Sequence, residues 1–143
     1  SKMPYLDQIW NEVERLHPPV PGGFRGVIKP FEFGGYQIPQ GWMAQYSILV
    51  TQRLPGLYEN PEVFDVDRWK DTKQKPFSLI GFGGGSRICI GLAFAKLEMR
   101  LVAAHLLRNY SWELLPNQSL KPVIIPTRRP KDGLKVKFQK RDA

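Results

Sequence analysis

The chain has 143 residues, with Lys+Arg 21 against Asp+Glu 13 and a formal net charge of +8. Its hydrophobic content of 42% argues against disorder, while thirteen prolines and thirteen glycines call for many turns. A single cysteine excludes a disulfide framework, no apolar run approaches the ~20 residues of a membrane span, and no signal-peptide pattern opens the chain. Length alone allows one small domain with its own core. The chain opens on Ser1 rather than methionine, so it is read as a piece of something longer. A missing anchor here therefore says nothing about a parent protein.

From Pro4 to Leu16 the sequence predicts a helix. Leu6, Ile9, Val13 and Leu16 recur at helical spacing, Pro4 suits a first turn, and Pro18-Pro19 blocks continuation. Glu12 and Arg15 occupy neighbouring positions at the border of that apolar stripe; as an exposed ion pair they would contribute little. Phe24 to Gln52 reads as short strands with turns. Gly34-Gly35 between Phe31-Glu32-Phe33 and Tyr36-Gln37-Ile38 is a hairpin signal, and Trp42 to Val50 is aliphatic enough for one well-buried strand. Leu54 to Lys75 is irregular, with Pro55, Pro61 and Pro76 punctuating it.

Ile90 to Asn109 predicts one long helix with Phe94, Leu97, Leu101 and Ala104 on one side. Its other sides are apolar too, as for a helix packed inside a large protein. The tail gives Val123-Ile124-Ile125, a basic turn at Arg128-Arg129-Pro130, Asp132-Gly133, and a strand from Leu134 to Phe138. Leu134, Val136 and Phe138 alternate with Lys135 and Lys137, which predicts one buried face and one wet face.

The stretch with the most chemistry is Phe82-Gly83-Gly84-Gly85-Ser86-Arg87-Ile88-Cys89-Ile90-Gly91. Glycines before the cysteine free the backbone for φ > 0 and for close approach. A helix starting almost on the thiol turns its unpaired N–H groups and positive dipole end toward the sulfur. A lone cysteine is more often a small buried hydrophobe, so the spacing has to decide. A phosphate cradle fails, because Ser86 stands where a dinucleotide fingerprint needs its third glycine and no Gly-Lys-Ser/Thr follows. A zinc site fails because His17 and His105 are isolated and no second cysteine exists.

The spacing Phe-x-x-Gly-x-Arg-x-Cys-x-Gly, met at Phe82, Gly85, Arg87, Cys89 and Gly91, resembles the haem-binding signature of the cytochrome P-450 family of haem-thiolate monooxygenases. Two further stretches extend the resemblance over nearly the whole chain. Glu12-x-x-Arg15 before a proline-rich exit is similar to the family's second hallmark. Phe64-Asp65-Val66-Asp67-Arg68-Trp69 is similar to its Phe-x-Pro-x-Arg-Phe/Trp motif, with Val66 in place of proline. The resemblance implies a buried triad of Glu12, Arg15 and Arg68. Thr51-Gln52-Arg53-Leu54-Pro55 departs from the family's commoner His-containing sequence.

The resemblance further implies haem b as cofactor, with Cys89 as axial iron ligand. Arg25 and Arg87 would then meet the propionates, Phe82 would shield the sulfur, and backbone N–H groups after Cys89 would tune it. A thiolate ligand pushes electron density to favour O–O cleavage. The reaction implied is insertion of one oxygen atom from dioxygen into a small lipophilic substrate. Its electrons would come from a ferredoxin, flavodoxin or flavoprotein reductase, steered by Lys70, Lys73 and Lys75 ahead of the cysteine loop. The fold expected is an α+β fragment of the mainly-α family fold, with two main helices and short β-hairpins around the ligand loop. Residues 1–143 would be the carboxy-terminal part of a single domain, lacking the central oxygen-handling helix.

The Gly22-Gly23-Phe24-Arg25 turn, the Phe94-Ala95-Lys96-Leu97-Glu98 run and Arg129-Pro130-Lys131-Asp132 are similar to the retinoate-hydroxylase branch and its bacterial relatives. Location follows from the parent: cytoplasmic for a bacterial member, membrane-anchored where a parent carries an anchor. Two rival readings remain at this point. One is a haem-binding remnant or sensor without oxygenase activity. The other is a basic nucleic-acid-binding module, although the positive charges are scattered and no nucleic-acid motif accompanies them.

Overall fold

The computed structural model describes residues 2–70, 74–124 and 127–141. Lys73 and Ile125 lie outside them. Helix α1 runs from Pro4 to Leu16 with proline in its first turn, the bounds the sequence predicts. Its burial is not what the apolar stripe predicts. Leu6, Ile9 and Val13 are only half-buried, while Glu12, Arg15 and Leu16 are buried.

Strand β1 (Gly22–Gly26) pairs antiparallel with β4 (Met43–Ser47), and the hairpin of β2 (Phe31–Phe33) and β3 (Tyr36–Ile38) lies between them in sequence. Gly34 and Gly35, at φ +59° and +81°, make the tight hairpin turn that a side chain would disfavour. The Gly22–Arg25 segment, expected as a turn, is strand instead. A methyl at Gly22 would fall 2.4 Å from the Tyr46 carbonyl oxygen, so the glycine permits the close pairing.

The single buried strand expected over 42–50 is likewise corrected. It stops at Ser47, whose hydroxyl accepts from the Val50 N–H and opens a one-turn helix α2 (Ile48–Thr51). A polar cap residue inside an aliphatic run ends the strand there. Along β4 no residue is fully buried.

A 3₁₀ turn over Val66–Trp69 interrupts the irregular segment, with the Asp65 carboxylate accepting from the Asp67 N–H. A second 3₁₀ turn, Gly85–Arg87, precedes helix α3, which runs from Leu92 to Asn109 rather than from Ile90. Gly91 is its N-cap, so the thiol stands three residues before the first helical residue.

The tail pairs β5 (Tyr110–Leu114) with β8 (Val136–Lys140) and β6 (Pro122–Val123) with β7 (Arg129–Pro130). The last strand starts two residues later than predicted because Leu134 adopts φ +55°. Its apolar side is not buried either: Leu134 and Phe138 are exposed, although Phe138 meets Trp112 across the pair with ring centroids 5.6 Å apart.

The described residues thus form two main helices and four two-stranded antiparallel sheets. The buried hydrophobic residues are Leu16, Val27, Ile48, Tyr58 and Trp69, a small core for this length. Helix α3 has no buried residue, and Phe94 is 70% exposed. Its apolar content therefore faces outward, as on a surface that other parts of a larger protein cover.

Candidate functional site

Glu12 and Arg15 are fully buried, and Arg68 joins them from the second motif. The Glu12 carboxylate accepts five hydrogen bonds. Arg15 donates to Oε1 at 2.7 Å and to Oε2 at 2.8 Å, the Asp65 N–H to Oε1 at 2.9 Å, Arg68 Nε to Oε1 at 3.2 Å, and Trp69 Nε1 to Oε2 at 2.9 Å. Arg15 uses the rest of its fork on the carbonyls of Gln52, Pro61 and Val63, at 3.1, 2.6 and 3.1 Å. All five of its N–H donors are engaged, which is what a buried guanidinium requires. The Tyr58 ring lies against both cations, 5.1 Å from the Arg15 guanidinium carbon and 5.9 Å from that of Arg68. Burial alone would raise the pKa of Glu12, but the Arg15 guanidinium and the Asp65 and Trp69 N–H groups outweigh it and hold the carboxyl below its ordinary range.

Gln52, in the segment that departs from the family's usual sequence, is fully buried and makes four long-range hydrogen bonds. Its Nε2 donates to the carbonyls of Glu14 and Arg15 at 2.9 and 3.0 Å, its Oε1 accepts from the Ile80 N–H at 2.9 Å, and its own carbonyl holds Arg15. With the His17 N–H on the Val13 carbonyl and Arg53 on that of Leu16, every carbonyl of the last turn of α1 is satisfied. Gln52 thereby ties the end of α1 to the entry of the cysteine loop. The sequence carried only a weak signal for it, an amide inside an apolar-to-proline transition.

The loop itself is shaped by its glycines. Gly83 and Gly85 have φ +79° and +68°, whereas Gly84 is extended. The Cys89 N–H donates to the Phe82 carbonyl at 2.9 Å, the Ile88 N–H to that of Gly85 at 3.2 Å, and the Leu92 N–H to that of Cys89 at 3.2 Å. The thiol is exposed, not a buried core group. It borders a cavity of ≈ 760 Å³, within the range of small-molecule and cofactor sites.

Arg25, Phe82, Arg87 and Cys89 all line this cavity, so four of the predicted residues meet there from β1 and the loop. Gly85 and Gly91 do not line it; Gly85 lies in the loop's 3₁₀ turn and Gly91 is the α3 cap. Arg25 is held by the Phe24 carbonyl at 2.8 Å and the Tyr46 hydroxyl at 3.3 Å, with its guanidinium carbon 5.0 Å from the Tyr46 ring centroid.

The rest of the lining includes a histidine and a glutamate that the sequence did not mark as site residues. His17, whose pKa is lowered by burial and by the charges of Arg128 and Arg53, lies on the wall. So does Glu14, raised by burial. Among the described residues no group of three or more His, Cys, Asp or Glu could hold a metal ion. No helix there is long and apolar enough to cross a membrane.

The cysteine loop on its apolar cavity and the Glu12–Arg15–Arg68 cluster belong to a fold whose matches are haem proteins. The cytochrome P450 family matches residues 1–138, and the chain belongs to that family. Haem is the family's cofactor, and named monooxygenases and hydroxylases are among the relatives. A cytochrome P450 120 of Synechocystis, named as putative, is 49% identical over 142 residues, covering 96% of this chain and 32% of that protein. Human cytochrome P450 26B1 is 37% identical, covering 96% of this chain and 28% of that protein. The solved structure titled "Retinoic acid bound cyanobacterial CYP120A1" superposes with a TM-score of 0.91 at 48% identity, over 97% of this chain and 33% of that one. The chain thus spans about a third of the length of the relatives it matches.

Proposed function

We propose that residues 1–143 are the carboxy-terminal, thiolate-bearing part of a single haem-thiolate monooxygenase domain. The observation that supports this best is the meeting of the Cys89 thiol with two guanidiniums, those of Arg25 and Arg87, on one largely apolar cavity wall. That donor set suits a flat apolar group with two carboxylates and a need for one soft axial ligand. When bound, the haem supplies the redox and oxygen chemistry.

The chain's own residues hold and bias that group. Cys89 provides the sulfur, and the Phe82 and Gly85 carbonyls fix the loop from behind. With the haem bound, Arg25 and Arg87 would neutralise the propionates, Phe82 would shield the sulfur, and N–H groups after Cys89 would hydrogen-bond it. Oxygen and substrate are met by the parts of the parent that complete the cavity. The substrate we assign is a small lipophilic one of retinoid type, on the strength of the retinoic acid named for the cyanobacterial structure. The electron donor we assign is an acidic ferredoxin, flavodoxin or flavoprotein reductase.

The test is Cys89→Ala in the full-length parent, reduced under carbon monoxide. The wild type should show the strongly red-shifted band of thiolate-bound ferrous haem, and the variant should lose it. A variant that keeps the band would remove Cys89 as ligand. Oxygen uptake by the wild type, dependent on retinoic acid and donor, separates a monooxygenase from a haem-binding remnant.

A further inference from the structure

One carboxylate at the entry of the glycine loop takes no part in these roles. Glu14 follows Glu12 by two residues, about 200° round the helix, so it points away from the Arg15 cluster. It packs against Gly81 at the entry of the loop: a methyl there would fall 2.4 Å from Glu14 Cγ and 2.5 Å from its Oε1. It also borders a second cavity of ≈ 200 Å³ between α1 and α3, whose wall carries Asp7, Trp10, Lys96 and Arg100. Burial raises its pKa, and the Lys96 charge with the Gly81 N–H works against that rise. Three elements therefore converge on one carboxyl: α1, the first glycine of the loop, and α3 through Lys96. Gly81 immediately precedes Phe82, whose carbonyl receives the Cys89 N–H. A shift at Gly81 therefore reaches the ligand through one residue and one hydrogen bond.

We propose that Glu14 is a positioning residue for the Cys89 ligand, its carboxyl clamping the entry of the cysteine loop between α1 and α3. The proposal rests on Cys89 being the ligand. It predicts that the clamp can be broken from either side. Losing the carboxyl frees the loop entry, and a methyl on Gly81 drives the carboxyl out. The amide of Glu14→Gln keeps the shape and the acceptor and should hold the loop.

The experiment uses the full-length holoprotein as Glu14→Gln, Glu14→Ala, Gly81→Ala and the double variant Glu14→Ala/Gly81→Ala. The readouts are the decay of the thiolate-type carbon monoxide band on mild warming and, separately, the midpoint of global unfolding. Glu14→Ala and Gly81→Ala should each speed the decay about 10-fold at an unchanged midpoint. Glu14→Gln should stay within about twofold of wild type. The double variant should be no worse than Glu14→Ala, because the added methyl then meets no carboxyl. Equal decay in all variants would overturn the proposal. So would a decay that tracks the unfolding midpoint, or a double variant showing the two effects summed. A wild type without the thiolate band would instead remove Cys89 as ligand, and the clamp with it.

Discussion

Glu12 and Arg68 share one cluster, yet the structure separates what their loss should cost. In Glu12→Ala, five donors lose their acceptor at once, and two of those belong to the fully buried Arg15 and one to Trp69. Leaving a buried guanidinium short of its carboxylate costs about 3–5 kcal/mol. In Arg68→Ala the carboxylate keeps four of its five donors, including both from Arg15. What is lost is a 3.2 Å charge-assisted bond, bonds to the Glu59 and Val63 carbonyls at 3.0 and 3.4 Å and a 4.0 Å pairing with the half-exposed Asp65 carboxylate, at a side chain that is 10% exposed. A bond to a charged group is worth about 1.5–3 kcal/mol, so Arg68→Ala should cost about 2 kcal/mol. The assay is denaturant unfolding of the full-length parent, with haem content followed in parallel and the slope of the transition unchanged. Glu12→Ala should lose haem first and most. Equal losses for the two variants, or a Glu12→Ala cost below about 1 kcal/mol, would show that the cluster is not held by this donor set.

Glu12 is held below its ordinary pKa, so its contribution is full above the unfolded value of about 4.3 and fades as pH falls through the lower folded value. Acid unfolding should therefore steepen below about pH 4.3 in wild type and flatten in Glu12→Gln. That difference isolates Glu12 from Glu14, whose raised value acts with the opposite sign; identical pH profiles would refute it. Charge reversal at Lys70, Lys73 and Lys75 should slow reduction by an acidic donor, and raising the salt should narrow the gap, since rim charges act mainly on association. Lys70 is already paired with Asp67 at 2.9 Å, so Lys75 should carry more of the effect; an unchanged reduction rate and salt dependence would exclude the patch. Residues 1–143 expressed alone should aggregate or take up haemin with mixed ligation, because α3 leaves Phe94, Leu97, Leu101 and Val102 exposed and burial is worth ~25 cal/mol per Å². Stoichiometric thiolate-ligated haem in a monodisperse preparation would refute that.

What the sequence determined by itself is local. Pro4 and Pro18 bracket α1, Gly34-Gly35 turns the hairpin, and the glycines before Cys89 allow a backbone that other residues resist. Each of these is a preference written in a residue and its near neighbours. That Arg68 joins Glu12 was implied by the family resemblance of the 64–69 stretch, not by the residues' own local preferences. The tertiary structure decided which groups meet. Trp69 and the Asp65 N–H reach Glu12 across 57 and 53 residues, and Gln52 reaches α1 across 37 and 38. Closing a loop of that length costs an entropy that changes only slowly with length, so separation along the chain does not choose among partners. The apolar stripe of α1 pointed to the wrong buried face for the same reason. Burying Glu12 and Arg15 is favourable only once a complete set of donors and acceptors surrounds them, and that set arrives from segments the helix cannot specify.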